Sequence, residues 1–249
     1  MAREFLGWLA VPSGGRWLDV GCGTGALTET ILSVAVPGEV VGIDPSPAFV
    51  AFARDRVKHP RVRFDVGDAQ ALHVDPATFD AVVAGLVINF VPEPGEAVAE
   101  MARVARPGGT VAAYVWDYAE GMQMMRHFWD AAAALDPQSR ELDEGSRFTL
   151  CRPEPLADLF RNTGLDNVEV RAIDVPTVFR DFDDYWSPFL AGQAPAPAYA
   201  MSLDQEQRAE LREHIRASLP TNAKGEHHLI ARAWAARGIR EAVPPQHSG

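Results

Sequence analysis

The stretch Arg16-Trp17-Leu18-Asp19-Val20-Gly21-Cys22-Gly23-Thr24-Gly25 decides the fold. Its first half is a short, mostly apolar run that reads as a strand, and its second half is a glycine turn. Glycines at alternate positions permit positive φ and let backbone atoms come close to a ligand. Beyond the turn, Leu27, Ile31 and Leu32 form the inward stripe of a helix. Strand, glycine turn and helix in this order open a βαβ unit and a parallel sheet.

Working outward, Glu39 to Ile43 reads as a second strand. Ser46-Pro47 then supplies an N-cap and a proline at the first helical position. Phe49, Val50, Ala53 and Val57 recur behind it at helical spacing. Arg61 to Phe64 is a shorter third strand. Phe79 to Ala84 is nearly continuous in apolar character, as a strand buried on both faces should be. A helix through Ala97, Met101 and Val104 is expected to stop at Arg106, because Pro107 disfavours helix in the residue before it. Pro107-Gly108-Gly109 then turns into a fifth strand, Val111 to Trp116. The second half is less regular. Met122 to Leu135 and Pro153 to Thr163 read as helices, the latter closed by Gly164. Val168 to Val175 and Leu229 to Ala235 read as late strands. Between them, residues 176–224 are rich in aromatics, Pro and Ala and include a charged amphipathic helix from Leu203 to Leu219. No internal repeat is present.

The 249 residues suffice for one large domain with a modest cap. No stretch approaches the ~20 apolar residues that a membrane span needs. The N-terminus has no cationic region followed by an apolar run, and two cysteines cannot make a disulfide framework, so a cytoplasmic location is expected. The net charge of −11 repels phosphate backbones. No run of Lys and Arg makes a local basic patch, and nucleic acid is not expected as a partner.

Three features fall at the carboxyl ends of three successive predicted strands, the edge where open parallel sheets bind ligands. They are the turn after Asp19, the acid Asp44, and Gly67-Asp68-Ala69. Asp44 is placed to hold two ribose hydroxyls, and Asp68 to accept from an adenine amino group. Gly21-x-Gly23-x-x-Ala26 also fits the dinucleotide pattern, which makes an NAD-dependent oxidoreductase the alternative reading. Against that stand Asp19 directly before the turn, the second acid Asp68, and the absence of a Tyr-x-x-x-Lys dyad. A non-catalytic cofactor-binding subunit is a further alternative.

Together, Leu18 to Gly25, Gly42-Ile43-Asp44-Pro45-Ser46, Gly67-Asp68-Ala69, Phe79 to Val83 and Arg106-Pro107-Gly108-Gly109 closely resemble the class I S-adenosylmethionine-dependent methyltransferases. The resemblance covers roughly residues 16–116 and points to the ubiquinone/menaquinone-type, small-molecule subset. It implies a Rossmann-like α/β fold, a three-layer αβα sandwich. The sheet would be seven-stranded and mostly parallel, with an antiparallel last strand and a helical cap insertion. The expected organisation is one domain over residues 1–249. Its cofactor-binding core covers about 14–117, cap segments about 118–150 and 176–224, and a disordered tail about 241–249. It implies S-adenosyl-L-methionine as cofactor and S-adenosyl-L-homocysteine as product, with methyl transfer to a small molecule by in-line displacement. Gly21, Cys22, Gly23 and Gly25 would contact the methionine part of the cofactor, and Asp19 would support its ammonium. Asp44 and Pro45 would lie at the ribose, Asp68 and Ala69 at the adenine, and Gly85 and Leu86 at the methionine and the sulfonium.

Acceptor residues are expected beyond the fourth and fifth strands and on the cap. Asp117 is the first candidate for a general base, His127 the second and Tyr118 the third. Asn89, Phe90, Met122, Met124, Met125, Phe128 and Trp129 are candidate walls, as are Asp181 to Trp186 and Phe189. Ordinary packing is the competing account of these side chains. Cys22 is read as a small turn residue rather than a nucleophile, and His227 and His228 lack the further ligands a metal would require. Only Ala2 to Leu9 precedes the first strand as a helix. A short, partly mobile segment and an incomplete lid are therefore expected, with a natural start that lies upstream.

Overall fold

The structure is a computed structural model that describes residues 1–191 and 194–241. The expected disordered tail falls, from residue 242 on, outside the described residues. Helix α1 (Ala2–Leu9) buries Phe5, Leu6 and Leu9. Phe5 meets Tyr114 at 4.8 Å between ring centroids. The guanidinium groups of Arg171 and Arg237 lie over the Trp8 ring at 5.6 and 4.7 Å. Eight residues are thus anchored by one buried ring and one clamped ring, which corrects the expectation of a partly mobile segment.

The next elements are β1 (Arg16–Val20), α2 (Ala26–Val34), β2 (Glu39–Asp44), α3 (Pro47–Arg56), β3 (Val62–Val66), β4 (Phe79–Gly85), α4 (Pro94–Val104) and β5 (Ala105–Trp116). Strand β1 pairs in parallel with β2 on one side and β4 on the other. β3 continues the sheet beyond β2, and β5 beyond β4. Trp17, Leu18 and Val20 of β1 and Ala81 to Ala84 of β4 are at most 1% exposed. Consecutive residues of these central strands are buried, on both faces of the sheet, so they carry continuous apolar runs rather than alternation. Ser46 caps α3 by accepting from the Phe49 amide, with Pro47 at the first helical position.

Two local expectations are corrected. Helix α4 ends at Val104 rather than at Arg106, and β5 begins at Ala105 instead of after Gly109. The register with β4 shifts between Phe79 and Ala81, so Pro107-Gly108-Gly109 is an irregularity within the strand pair and not a turn before it. Gly108 takes φ +74°. A Cβ on Gly109 would lie 2.8 Å from the Arg106 carbonyl oxygen. The second correction concerns Phe49. Val50 and Ala53 turn inward on α3, whereas Phe49 is 52% exposed.

Helices α5 (Gln123–Leu135), α6 (Glu144–Arg147) and α7 (Pro153–Asn162) precede β6 (Leu165–Phe179). Then come α8 (Phe182–Trp186), α9 (Pro195–Ser202), α10 (Gln205–Ser218) and β7 (His227–Arg240). The seven-stranded sheet has the order β3-β2-β1-β4-β5-β7-β6. It is mostly parallel, with antiparallel last strands. The order reverses between β1 and β4, so the loops after these strands leave in opposite directions and open a crevice at their carboxyl ends.

The chain divides into two compact units. One comprises residues 1–115, 153–173 and the chain from 234; the other comprises 116–152 and 174–233. The second unit has an aromatic core of its own. Phe128 stacks on Phe189 at 4.4 Å, and Trp186 on Phe182 at 6.4 Å. Tyr185 and Trp129 are buried with them. The Tyr185 hydroxyl donates to the Met124 carbonyl. Asp204 and Gln207 form a capping box at the start of α10.

Candidate cofactor site

At the carboxyl ends of the first unit's strands lies a cavity of about 470 Å³. Gly21, Asp44, Pro45, Asp68, Ala69 and Leu86, six of the expected cofactor residues, lie on its wall. Its remaining wall is largely apolar, with Phe49, Val87, Phe90, Val91 and Pro92. Sequence reasoning missed Ser46, Phe49, Gln70, Val87, Val91 and Pro92. The exposed face of α3 could have pointed to Phe49, but the loop after Leu86 carries no pattern that marks a wall. Asp19, Cys22, Gly23, Gly25 and Gly85, also expected at the cofactor, are not on its wall.

The glycine turn is built around positive φ at Gly21 (+69°), Gly23 (+51°) and Gly25 (+82°). A Cβ on Gly21 would lie 2.5 Å from Val87 Cγ1, so only glycine fits between that side chain and the strand end. The amides of Gly21 and Cys22 both donate to the Ile43 carbonyl, which ties the turn to β2. Asp44 completes the tie. Its Oδ2 accepts from the Gly23 amide at 2.9 Å and its Oδ1 from the Ser46 amide at 2.9 Å. Each carboxylate oxygen keeps a lone-pair direction for a further donor. Asp68 is exposed, and its Oδ1 accepts from the Gln70 amide. The Gln70 side chain in turn accepts from the Glu93 amide, joining the loops after β3 and β4. Leu86 takes φ +61°, a strained conformation for a non-glycine residue, and its amide is held by the Tyr114 carbonyl at 2.8 Å.

Asp19 is 1% exposed. Its Oδ2 accepts from the Thr28 hydroxyl at 2.6 Å, while its Oδ1 is buried without a hydrogen-bond partner among the described residues. Burial pushes its pKa up to about 7 against the pull of the Thr28 hydrogen bonds, and the nearby Asp44 adds to the rise. A buried acid with one unused oxygen fits a cationic donor such as an amino-acid ammonium. Cys22 turns its thiol into the core of β2, α3 and β3 with Val50, Ala53 and Phe64. Burial, reinforced by Asp19 and Asp44, raises its pKa far above the usual thiol value, the opposite of what a nucleophile needs.

The acceptor candidates belong to the second unit, except Asn89 and Phe90. Asp117 is 2% exposed; its Oδ1 accepts from the Glu120 amide at 3.0 Å and closes the turn after β5. Its Oδ2 is buried without a partner among the described residues. His127 is held below the usual histidine range, first by burial, with Asp130 raising and His227 lowering it further. Burial, with Cys151 and Glu144 adding to it, raises Tyr118 well above an ordinary phenol. Tyr185, Trp186 and Phe189 are packed among one another in the aromatic core, so they serve its packing. His227 shares its Nδ1 with the Thr221 hydroxyl and the Pro220 carbonyl. No group of three or more His, Cys, Asp or Glu among the described residues could hold a metal.

The strand order, the glycine turn and the acids at three neighbouring strand ends define a nucleoside-binding α/β enzyme. Residues 18–113 match the family described as Methyltransferase domain. The chain is 31% identical over 176 residues to the demethylmenaquinone methyltransferase of Roseiflexus castenholzii, covering 66% of this chain and 73% of that protein. It is 39% identical over 107 residues to the 2-phytyl-1,4-naphtoquinone methyltransferase of Thermosynechococcus vestitus, covering 42% of this chain and 48% of that one. The chain therefore spans about half the length of that second relative. The fold matches Haemonchus contortus phosphoethanolamine N-methyltransferase 2, solved in complex with S-adenosyl-L-methionine. The TM-score is 0.60 at 19% identity, covering 97% of this chain and 52% of that one. The chain belongs to the class I S-adenosylmethionine-dependent methyltransferases, in the subset that holds the menaquinone- and ubiquinone-type enzymes of small molecules. The dinucleotide reading of the glycine turn is thereby set aside.

Proposed function

We propose that the cavity binds S-adenosylmethionine and that the methyl group passes to an apolar ring acceptor of the quinone or quinol type. The observation that carries this reading is the set of acids at successive strand ends: Asp44 and Asp68 on the wall of one cavity, and Asp19, buried off that wall with an unused oxygen. Bound S-adenosylmethionine supplies an activated methyl group on a sulfonium and leaves as S-adenosylhomocysteine. Asp19 meets the methionine ammonium, directly or through water. The Gly21 backbone, on the cavity wall, lies against the methionine chain. Asp44 accepts from the ribose hydroxyls on the lone pairs left after the Gly23 and Ser46 amides. Asp68 and the Ala69 amide meet the adenine. Leu86, beside Gly85, lines the methionine end and excludes water. The names of the relatives and the apolar wall support the acceptor class.

Alignment carries most of the rate in this reading. Holding a nucleophile at about 3 Å in line with an activated methyl supplies several kcal/mol without proton transfer. Where the acceptor must lose a proton, Asp117 with its unused oxygen is the first base, and His127, whose pKa burial lowers, is the second. The chain acts as one methyltransferase domain on a small molecule in the cytoplasm, without a nucleic-acid partner. Its two buried, unpaired cysteines and its net charge support this. No helix among the described residues is long and apolar enough to cross a membrane.

Asp44→Ala should weaken S-adenosylmethionine and S-adenosylhomocysteine alike by more than tenfold, since a charged acceptor lost from two hydroxyls costs roughly 2–4 kcal/mol. Calorimetric titration measures this, together with an assay for S-adenosylhomocysteine release over naphthoquinols, phenols, amines and fatty acids. Unchanged affinity in the variant overturns the assignment of Asp44. Cofactor binding without release on any acceptor supports a non-catalytic subunit instead.

A further inference from the structure

Residues 54–63 read Arg-Asp-Arg-Val-Lys-His-Pro-Arg-Val-Arg. Five of the chain's 23 cationic residues stand here against one acid, a local net charge of +4 in a chain of −11. The expectation that no basic patch exists is corrected: the cations are interleaved with other residues, so no run is visible, but Arg54, Lys58 and Arg63 line one surface depression. Arg54, Arg56, Lys58, Arg61 and Arg63 are all exposed along the end of α3 and the edge strand β3. Some are occupied. Arg56 pairs with Glu29, Arg63 with Glu39 and Asp65, and Arg54 approaches Asp65 at 4.0 Å while donating to the Phe64 carbonyl. Lys58 and Arg61 pair with no carboxylate among the described residues; Arg61 donates to the Pro37 carbonyl at 2.8 Å.

The same element carries an apolar counterpart. Phe49 and Phe52, one turn apart on α3, are 52% and 54% exposed, and Val66 at the end of β3 is 51% exposed. Phe49 lines the cavity, and Phe52 follows it on α3, two residues before Arg54. Exposed aromatic rings on one face of a helix, followed by cations, match the chemistry of a bilayer interface. Rings enter the boundary between headgroup and acyl chain, and cations meet anionic headgroups. A polyanion without an apolar phase would engage the cations and leave the rings in water.

We propose that the exposed face of α3 and β3, from Phe49 and Phe52 through Lys58 and Arg61, docks reversibly on an anionic phospholipid surface. Phe49 belongs both to this face and to the cavity wall. Docking is independent of what the cavity holds, so it stands or falls apart from the proposed activity.

The test is co-sedimentation of the full chain with vesicles of phosphatidylcholine alone and with added phosphatidylglycerol, at low and high salt. Binding is expected only with phosphatidylglycerol, and salt should strip it. Each cation near such a surface is worth about 1 kcal/mol, so Lys58→Glu combined with Arg61→Glu should lower the partition coefficient more than tenfold. Phe52→Ser should lower it several-fold. Circular dichroism and S-adenosylhomocysteine affinity, unchanged in these variants, report an intact fold. No binding to phosphatidylglycerol vesicles at low salt overturns the proposal. So does equal binding to neutral vesicles, or binding that ignores both substitutions. Heparin binding of similar strength that is insensitive to Phe52→Ser overturns it in favour of a general polyanion site.

Discussion

Asp19 concentrates the chemistry of the site in one residue. Its pKa is about 7 in the folded protein against 3.8 for an ordinary aspartate, because burial opposes the charge more than Thr28 supports it. Between those values the unfolded chain has already released the proton that the folded chain retains. Stability therefore falls as pH rises from about 4 to about 7 and stays reduced above that window. Asp19→Asn should accordingly raise the stability of the ligand-free protein at pH 8, measured by urea unfolding, and leave it nearly unchanged at pH 4. An ammonium beside Asp19 favours the charged form, so cofactor binding should release a proton near pH 6.5. Calorimetry in buffers of different ionisation enthalpy measures that release, which Asp19→Asn should abolish along with most of the affinity. At Asp117 and His127 the expectation concerns turnover. Asp117→Asn and His127→Ala should each leave measurable rates, because general-base help is worth about 10²–10⁴-fold and only where the acceptor needs it. If one substitution abolishes turnover in a pH–rate profile while cofactor and acceptor still bind, that residue is the base and alignment alone is not sufficient.

At the scale of elements, the two units are held together internally by different means. The strand starts of the first are joined by alternating charges: Arg106 with Asp80, Asp80 with the Arg16 amide, Arg16 with Glu39 and Glu39 with Arg63. Such exposed pairs contribute little singly, and salt screens them. The core of the second unit is aromatic. Trp186 is 4% exposed, stacks on Phe182 and lies 5.9 Å from Phe189. Removing a ring of that size from a packed core costs about 3–5 kcal/mol. Trp186→Ala should therefore lower the urea midpoint markedly, where a loss confined to acceptor saturation would instead mark it as a pocket wall. Helix α8 is only five residues long, too short to be legible by periodicity, and it exists because Asp181 caps it by accepting from the Asp184 amide.

For the whole molecule, the cavity couples the loops after β1 through β4, since Gly21, Asp44, Asp68 and Leu86 share its wall. A ligand that bridges them stabilises the state that binds it. At a hundred times its Kd, S-adenosylhomocysteine should add about 2.7 kcal/mol, or a rise in Tm of roughly 5–10 °C for a chain of this size. Asp44→Ala should lose most of that shift at the same concentration in a thermal scan. A full shift in the variant would show that Asp44 does not hold the ligand.

The order of strands and helices through β5 was legible because local signals agreed with the final packing. Trp17, Leu18 and Val20 had to be buried on both faces, Ser46 and Pro47 had to start a helix, and glycines had to make the turn at Gly21. The acids Asp19, Asp44 and Asp68 followed from their places at strand ends. What the sequence did not disclose depends on contacts between residues far apart in the chain. Phe49 belongs to an inward pattern by spacing, and only the loop holding Val87 and Phe90 made it a wall. Asp19 is a turn acid in sequence, and only complete burial moved its titration toward neutrality. Lys58 and Arg61 stand in one basic stretch of sequence, and only the structure shows that both are exposed and that Arg61 donates to the Pro37 carbonyl. Periodicity and turn chemistry act over a few residues and so can be read in order. Burial, charge and cavity shape sum over neighbours in space, and tertiary structure alone decides who those neighbours are.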